Sequence, residues 1–212
     1  MFVNLFQQSP AFAVAVLMGF VVGIVLHEAA HAYSAYLLGD DTAYRAGRVT
    51  LNPASHLDVL GSLMLLIAGF GWGKPTPVVP SKLRGGVLGP VAVAFAGPAS
   101  NLLIVALCAL LYATPPFQEG YLRIIVLAMA FVNALLFVFN LIPIPPLDGA
   151  KVIFPFLPRS LSGFVGFMNR HGPTILLVLV LLTFLPLFPS PLAYILILTR
   201  PLLTAFGLPP MF

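Results

Sequence analysis

The chain contains 212 residues, of which 60% are hydrophobic and only 8% are charged. Because about 25% of the residues of a soluble domain are charged, this composition excludes an ordinary soluble protein and indicates an integral membrane protein. The net charge of +4 comes from basic residues scattered mainly over short loops, which is typical of topology-setting charges and not of nucleic-acid binding. The single cysteine, Cys108, excludes a disulfide within the chain.

The first predicted element is a long apolar helix over residues 10–38. Pro10 suits the first turn of a helix, and the polar run 39–41 ends the segment. A membrane-spanning helix needs about 20 mostly apolar residues, so this segment is long enough to span. Its apolar first part leads directly into a histidine motif, and we therefore interpret it as a retained helix and not as a cleaved signal peptide.

The histidine motif reads His-Glu-Ala-Ala-His at residues 27–31. His27 and His31 are four residues apart and share one helix face, so both imidazoles can bind the same metal ion. Glu28 lies beside His27, close enough to act on water at such an ion. The pattern is typical of soluble metalloproteases, but here it lies in an apolar helix, where three ionisable groups need compensating partners.

Further apolar segments follow at 57–70, 87–113, 121–142, 174–187 and 191–206. The segment 57–70 is short, and it is either a tilted span or a re-entrant piece. The last two segments are bounded by prolines and are predicted to form a helical hairpin. Residues 48–51 have strand character, whereas the Gly- and Pro-rich residues 71–80 predict an extended loop.

These elements predict an all-α polytopic membrane protein with about five or six transmembrane or re-entrant helices and a short extended, β-like segment near the active site. We predict one domain over residues 1–212, with a core over about 10–155 and extra C-terminal helical segments over about 172–206. Lys and Arg cluster in 39–86 and 151–170. If both loops are cytoplasmic, the histidine motif lies nearer the cytoplasmic side of the cell (inner) membrane.

A catalytic zinc site usually has three protein ligands and one open position, so two histidines need a third partner. The remaining histidines and acids are His56, His171, Asp40, Asp41, Asp58, Glu119 and Asp148. Asp148 stands out because it follows the apolar segment 121–142 in a proline-broken stretch. A charge near membrane depth costs about 2.5–3.5 kcal/mol, which a metal ion would offset. Irregular backbone at that depth also fits a water-filled cavity.

Simpler interpretations of the same residues stay open. Asp148 could cap the following helix or pair with Lys151, and His56 could be a loop hydrogen-bonding residue or support a metal ligand. His171 fits a helix terminus. Two asparagines fit polar contacts between membrane helices: Asn101 and Asn140.

Taken together and in this order, the histidine motif and residues 140–149 (Asn140 to Asp148-Gly149) resemble the two signature motifs of the site-2 protease family. These are intramembrane zinc metalloproteases that cut transmembrane segments of regulatory substrates. Residues 95–101 resemble the family's glycine-and-asparagine motif. Residues 47–61 and 71–75 are similar to the connecting region of small bacterial and archaeal members. The resemblance covers roughly residues 20–155.

The resemblance implies that His27, His31 and Asp148 bind one zinc ion per chain and that Glu28 is the general base and acid. It also makes Asn140 a candidate for holding the substrate or the oxyanion. The expected partners are a transmembrane protein substrate and the lipid bilayer, with no nucleic acid. Because a helical peptide bond is shielded, the substrate must unfold locally, and segments 48–51 and 74–79 could offer it a strand edge.

Two other classes of function compete with a protease. A proteolytically inactive scaffold could bind zinc structurally, but such a site does not need Glu28. A metal-ion transporter could line its path with His and Asp, but transporters commonly contain repeated halves and this sequence shows no repeat. The sequence therefore favours an intramembrane zinc endopeptidase.

Overall fold

The computed structural model describes residues 9–68, 71–183 and 191–209. The α-helices within these residues are α1 (Pro10–Leu37), α2 (Thr42–Arg45), α3 (Val59–Ala68), α4 (Leu88–Tyr112), α5 (Gly120–Asn140), α6 (Asp148–Ile153), α7 (Ser162–Leu182) and α8 (Pro191–Ala205). Within the described part of the chain, four stretches are long and apolar enough to span a membrane: Pro10–Leu37, Leu88–Tyr112, Gly120–Asn140 and Arg159–Leu182. The predicted all-α polytopic architecture is confirmed.

The predicted bounds are accurate to within two residues for α1, which carries the histidine motif, and for α4 and α5, which pack against it. The segment predicted over 57–70 contains only the ten-residue helix α3. Ten residues rise about 15 Å, which is half of the hydrocarbon core of a bilayer, so α3 alone does not span. Residues 69 and 70 lie outside the described residues.

The strand predicted over residues 48–51 is wrong. This segment consists of bends and irregular backbone that lead into a 3₁₀ turn at Pro53–Ser55. The side chain of Asn52 accepts a hydrogen bond from the amide of Ala54 (3.1 Å) and starts that turn, which diverts the chain from a ladder. The β-like pairing near the histidine motif is an isolated antiparallel bridge between Leu57 and Gly73, which belongs to the predicted extended loop 71–80.

The helix that contains the predicted segment 174–187 differs from its prediction. Helix α7 begins at Ser162, well before the predicted start of the 174–187 segment, and carries Pro173 in its interior. His171 therefore lies inside a helix and not at its terminus, with its ring 4.7 Å from the ring of Phe167. Residues 184–190 lie outside the described residues. The assignment of residues 1–212 to one domain stays a prediction.

A stripe of small residues lets α1 approach its neighbours closely. Among the buried residues of α1, small side chains recur every four residues at Ala15, Gly19 and Gly23, and the same row continues through His27 and His31 to Ala35. A Cβ atom built on Gly19 would lie 3.3 Å from the Cα of Met129, and one on Gly23 would lie 2.7 Å from Oδ1 of Asn133. Small residues at this spacing are the usual means by which membrane helices pack closely. The stripe therefore brings α1 against α5 in the two helical turns that precede His27.

The extended loop is tied to the end of α1 by the buried carboxylate of Asp40. Its Oδ2 accepts a hydrogen bond from the amide of Val79 (2.6 Å), and its Oδ1 accepts one from the amide of Thr42 (3.1 Å). Burial alone would raise the pKa of Asp40, but the hydrogen bonds from Thr42 and Val79 outweigh it and hold the pKa below its usual value.

This tie predicts a pH-dependent contribution to stability. Because the native pKa of Asp40 is lower than its unfolded pKa, the ionised carboxylate stabilises the fold above about pH 4, and this stabilisation disappears as the pH falls through the native pKa. Asp40→Asn should lower the free energy of unfolding by about 1.5–3 kcal/mol at neutral pH. Thermal unfolding in detergent should then show a wild-type advantage at pH 7 that narrows on acidification; a constant difference would contradict this role.

Candidate metal centre and active site

Three side chains that are predicted metal ligands converge on one buried point. Nε2 of His27 and Nε2 of His31 are 3.0 Å apart, and Oδ2 of Asp148 lies 3.1 Å from the first and 3.0 Å from the second. The histidines come from consecutive turns of α1, whereas Asp148 is the first residue of α6. Residues 117 and 121 positions apart in the chain are thus brought together by the fold.

The contacts of the two Nδ1 atoms place the hydrogen of each neutral imidazole on Nδ1, which leaves Nε2 free to bind a metal. Nδ1 of His31 lies 2.7 Å from the carbonyl oxygen of Val93, which can only accept, so Nδ1 carries the hydrogen and donates. Nδ1 of His27 lies 2.7 Å from Oδ1 of Asn101, which likewise accepts. With both imidazoles neutral, two nitrogen lone pairs and a carboxylate oxygen face one another, an arrangement that a bound metal cation would stabilise.

This set of donors fits zinc. Structural and catalytic zinc sites are built from imidazole nitrogen, thiolate sulfur and carboxylate oxygen, and two histidines with one acid leave a position open. The hydrogen bonds from both Nδ1 atoms are the outer contacts that commonly orient histidine ligands of metals. Within the described residues, His27, His31 and Asp148 form the single group of three or more metal-binding side chains.

Helix α4 passes the centre at Gly97 with no space for a side chain. A Cβ atom built on this residue would lie 2.3 Å from Nε2 of His31 and 2.6 Å from Nε2 of His27. Real Cβ atoms essentially never make such contacts. The glycine of the 95–101 motif therefore keeps one side of the centre open.

Asp148 reaches the centre because α5 stops before it. Helix α5 ends at Asn140, and the proline-rich stretch that follows turns the chain back so that Gly149 packs against the carbonyl of Leu141. A Cβ atom on Gly149 would lie 2.2 Å from that oxygen. The other carboxylate oxygen of Asp148, Oδ1, accepts a hydrogen bond from Nζ of Lys151 (3.0 Å). Asp148 can therefore pair with Lys151 through Oδ1 and still offer Oδ2 to a metal ion.

Glu28 is held by the extended loop. Its Oε2 accepts hydrogen bonds from the backbone amide of Thr76 (2.8 Å) and is 2.7 Å from the hydroxyl of Thr76. Nη2 of Arg48 lies 3.7 Å from the same oxygen. The guanidinium of Arg48 is buried and also donates to the carbonyls of Lys74 and Pro75, the latter at 3.1 Å. Arg48 thus fixes the loop that fixes Glu28.

The other predicted site residues lie away from this cluster. The side-chain amide of Asn140 donates to the carbonyl of Leu136 (2.9 Å) on its own helix, so its role toward substrate stays a prediction. His56 is fully buried and hydrogen-bonds through Nε2 to the carbonyl of Thr50 (2.8 Å), as its loop interpretation predicts. Oδ1 of Asp58 accepts from the amide of Gly61 (2.8 Å) at the start of α3.

Three residues of the site were not found from the sequence: Arg48, Thr76 and Asn133. Asn133 carried a usable signal, because an amide in the middle of an apolar helix needs a hydrogen-bonding partner. The sequence places Arg48 among the topology-setting charges and in the stretches 48–51 and 47–61, but gives it no role at the metal centre. Thr76 lies between two prolines in an irregular loop and carries no periodic signal.

Comparison with known proteins places this centre in a family. The model of peptidase family M50 matches residues 112–181, which include Asp148. The Bacillus subtilis protein named "Putative zinc metalloprotease YwhC" is 39% identical over 168 residues, covering 75% of this chain and 76% of that protein. Rip2 of Mycobacterium tuberculosis H37Rv, which bears the same description, is 32% identical over 181 residues, covering 79% of this chain and 67% of that protein.

A second Rip2, from Mycolicibacterium smegmatis, is 31% identical over 173 residues, covering 78% of this chain and 66% of that protein. No solved structure matches the chain. The extent of the YwhC match, together with the family model, establishes the family. The chain belongs to peptidase family M50, the site-2 protease family, and is a zinc metalloprotease.

Proposed function

We propose that this zinc metalloprotease hydrolyses peptide bonds in or near the transmembrane segments of other membrane proteins, as in regulated intramembrane proteolysis. The observation that carries the proposal is the position of the centre. Its two histidines lie within α1, and α4 and α5, which pack beside them, are also long and apolar enough to span. A peptide bond that reaches this centre must therefore enter the bundle of membrane helices.

In this proposal, Nε2 of His27, Nε2 of His31 and Oδ2 of Asp148 hold one zinc ion per chain. Zinc bound there supplies a Lewis acid that polarises the scissile carbonyl and lowers the pKa of water. Glu28 takes the proton from the attacking water and returns it to the leaving amine. Asn140 is the candidate for holding the substrate or the oxyanion.

The extended loop limits how a substrate strand could pair with it. The amides of Lys74, Thr76 and Val79 already donate within the protein, and Arg48 occupies the carbonyls of Lys74 and Pro75. Strand addition along 74–76 would have to displace these contacts. We therefore propose that a locally unfolded substrate pairs beyond Thr76, through the backbone groups around Val78, which lies between the proline at 77 and the occupied amide of Val79.

The distribution of charge supports an active site nearer the cytoplasm. Helix α3 is too short to span, so the end of α1, the start of α4 and the end of α5 lie on the same side of the membrane. The basic residues in the loops on that side are Arg45, Arg48, Lys74, Lys82, Arg84, Lys151 and Arg159. Positive charge is concentrated in cytoplasmic loops, so we propose the cell (inner) membrane with this side inward.

The proposal is tested by cleavage in a bilayer. Wild-type protein and Glu28→Gln are reconstituted into lipid vesicles with a panel of single-span peptides, and the cleaved bond is mapped by mass spectrometry. We expect cleavage inside or next to the apolar span by the wild type alone. Zinc binding by both proteins without cleavage of any peptide would favour the inactive scaffold, and cleavage confined to distant soluble flanks would exclude an intramembrane site.

The contacts of Arg48 predict a role in catalysis through Glu28. Arg48→Met should release the 74–76 loop from the buried guanidinium and let Glu28 move, because Thr76 would no longer be fixed. Since a displacement of about 1 Å can cost 10²-fold in rate, we expect kcat to fall about 10–10²-fold with zinc content unchanged. Steady-state cleavage measures this, with the exposed Arg45→Met as the matched control. An unchanged kcat in Arg48→Met would show that the loop does not position Glu28.

A further inference from the structure

Polar groups run along the buried face of α1 beneath the metal centre. The carbonyls of Gly19 and Gly23 and the imidazole of His27 follow one another at intervals of four residues, and each contacts an asparagine from another helix. The two asparagines are Asn101 on α4 and Asn133 on α5, and both are fully buried. The orientation of each side-chain amide is set by the backbone carbonyls beside it, which can accept a hydrogen bond but cannot donate one.

Asn133 is oriented by two backbone carbonyls. Its Nδ2 donates to the carbonyl of Met129 (2.8 Å) on its own helix and lies 3.4 Å from the carbonyl of Gly19 on α1. Carbonyl oxygens cannot donate, so the NH₂ group must face them and Oδ1 must point the other way. Asn133 therefore presents an acceptor to whatever lies on its opposite side.

The group on that side is the amide of Asn101. Nδ2 of Asn101 donates to Oδ1 of Asn133 (3.0 Å) and to the carbonyl of Gly23 (3.2 Å), which use both of its protons. Its Oδ1 is thereby turned toward Nδ1 of His27, 2.7 Å away. With the amide of Asn101 reversed, two donors would face each other at His27 whenever Nε2 is free to bind a metal.

We propose that Asn133 is a positioning residue for the metal ligand His27, acting through Asn101 although it touches no ligand itself. The inference rests on the proposed function, in which His27 binds zinc. Asn133 holds the amide of Asn101 in one orientation, Asn101 holds the hydrogen of His27 on Nδ1, and Nε2 keeps its lone pair for the metal. Outer partners of this kind typically change metal affinity by about 10–100-fold.

The stripe of small residues on α1 lets Asn133 reach this position. A Cβ atom on Gly23 would lie 2.7 Å from both Oδ1 of Asn133 and a methyl group of Leu136. The same close approach of α1 and α5 would also be expected if Asn133 only stabilised the contact between these two helices and had no effect on His27. The test must therefore separate a role through Asn101 from a general contribution to helix packing.

A double-mutant cycle on zinc affinity makes this separation. Purified full-length wild type, Asn101→Leu, Asn133→Leu and the double variant are titrated with zinc against a competing chelator. We expect about a 10–100-fold loss for Asn101→Leu and about a tenfold loss for Asn133→Leu. The double variant should match Asn101→Leu alone, because Asn133 has no other route to His27. Thr199→Val, which removes a buried hydroxyl from α8, should retain wild-type affinity.

Wild-type zinc affinity in folded Asn133→Leu, or losses that multiply in the double variant, would overturn the inference. If Asn133→Leu does not purify in a folded form, Asn133→Ser replaces it, since the shorter hydroxyl cannot reach Asn101 and the same loss is expected. His27→Ala is titrated in parallel. Zinc affinity that survives His27→Ala would refute the proposed ligand set itself, whereas loss in His27→Ala without loss at position 133 would refute only the role of Asn133.

Discussion

Glu28→Gln is expected to lower kcat for cleavage of a transmembrane peptide by about 10²–10⁴-fold while zinc content stays at the wild-type level. General acid–base catalysis contributes about this factor, and a glutamine side chain can neither take nor return a proton at neutral pH. The amide keeps the size of Glu28 and retains an oxygen for the hydrogen bonds from Thr76, so the fold should survive. Cleavage rates in vesicles and zinc quantification by mass spectrometry measure the two effects on the same preparation.

Glu119→Gln is the matched control for this result. Glu119 is an exposed acid in the loop before α5, at the opposite end of that helix from Asp148, and its substitution should leave the rate unchanged. A Glu28→Gln protein that cleaves at the wild-type rate would remove Glu28 from the mechanism. A protein that loses zinc together with activity would instead give Glu28 a role in building the centre.

Gly97→Ala is expected to abolish zinc binding and therefore activity. The added methyl group would lie 2.3 Å from Nε2 of His31 and 2.6 Å from Nε2 of His27, within the space that a metal ion shared by both atoms must occupy. We expect zinc affinity to fall by at least about 100-fold, the upper end for changes beside a metal ligand. Titration with zinc in detergent provides the measurement.

Gly166→Ala serves as the control because it makes the same change on α7, where a Cβ atom would meet no atom within 4 Å. Helix propensity favours alanine at both positions, so any loss specific to Gly97→Ala reports the contact with the histidines. Gly97→Ala protein with wild-type zinc content would show that the ion does not lie between the two Nε2 atoms.

The principal features of the site could be predicted because they are governed by local periodicity and by the cost of charge in a membrane. The four-residue spacing of His27 and His31 determines that they share a face wherever the segment is helical. Asp148 could be selected because a carboxylate after a long apolar segment needs a partner. The structure brings these three side chains together, as those arguments predict.

The surroundings of Glu28 could not be predicted because they depend on irregular backbone. Thr76 meets Glu28 through the course of the 71–80 loop, and Arg48 approaches it from the irregular segment after α2; neither segment follows a helical or strand period. The strand prediction at 48–51 failed for a related reason. Local propensity favoured extension, but the buried guanidinium of Arg48 binds backbone carbonyls of Lys74 and Pro75, and the Asn52 turn follows directly.

Asn101 and Asn133 illustrate an intermediate case. Their polarity in apolar helices indicates a contact between helices, and for Asn101 this interpretation is confirmed by hydrogen bonds to α1 and α5. The direction of each amide, however, depends on carbonyls contributed by other turns and helices, which no sequence pattern specifies. The connection from Asn133 to His27 is therefore visible only in the three-dimensional arrangement.

The central claim is that His27, His31 and Asp148 together hold one zinc ion. X-ray absorption at the zinc edge, combined with the zinc content of wild type and Asp148→Asn, tests it most directly. We predict one zinc per wild-type chain, coordinated by two imidazole nitrogens and by oxygen, and a clear loss of zinc affinity in Asp148→Asn. Asp148→Asn that binds zinc with wild-type affinity and an unchanged absorption spectrum would contradict the claim.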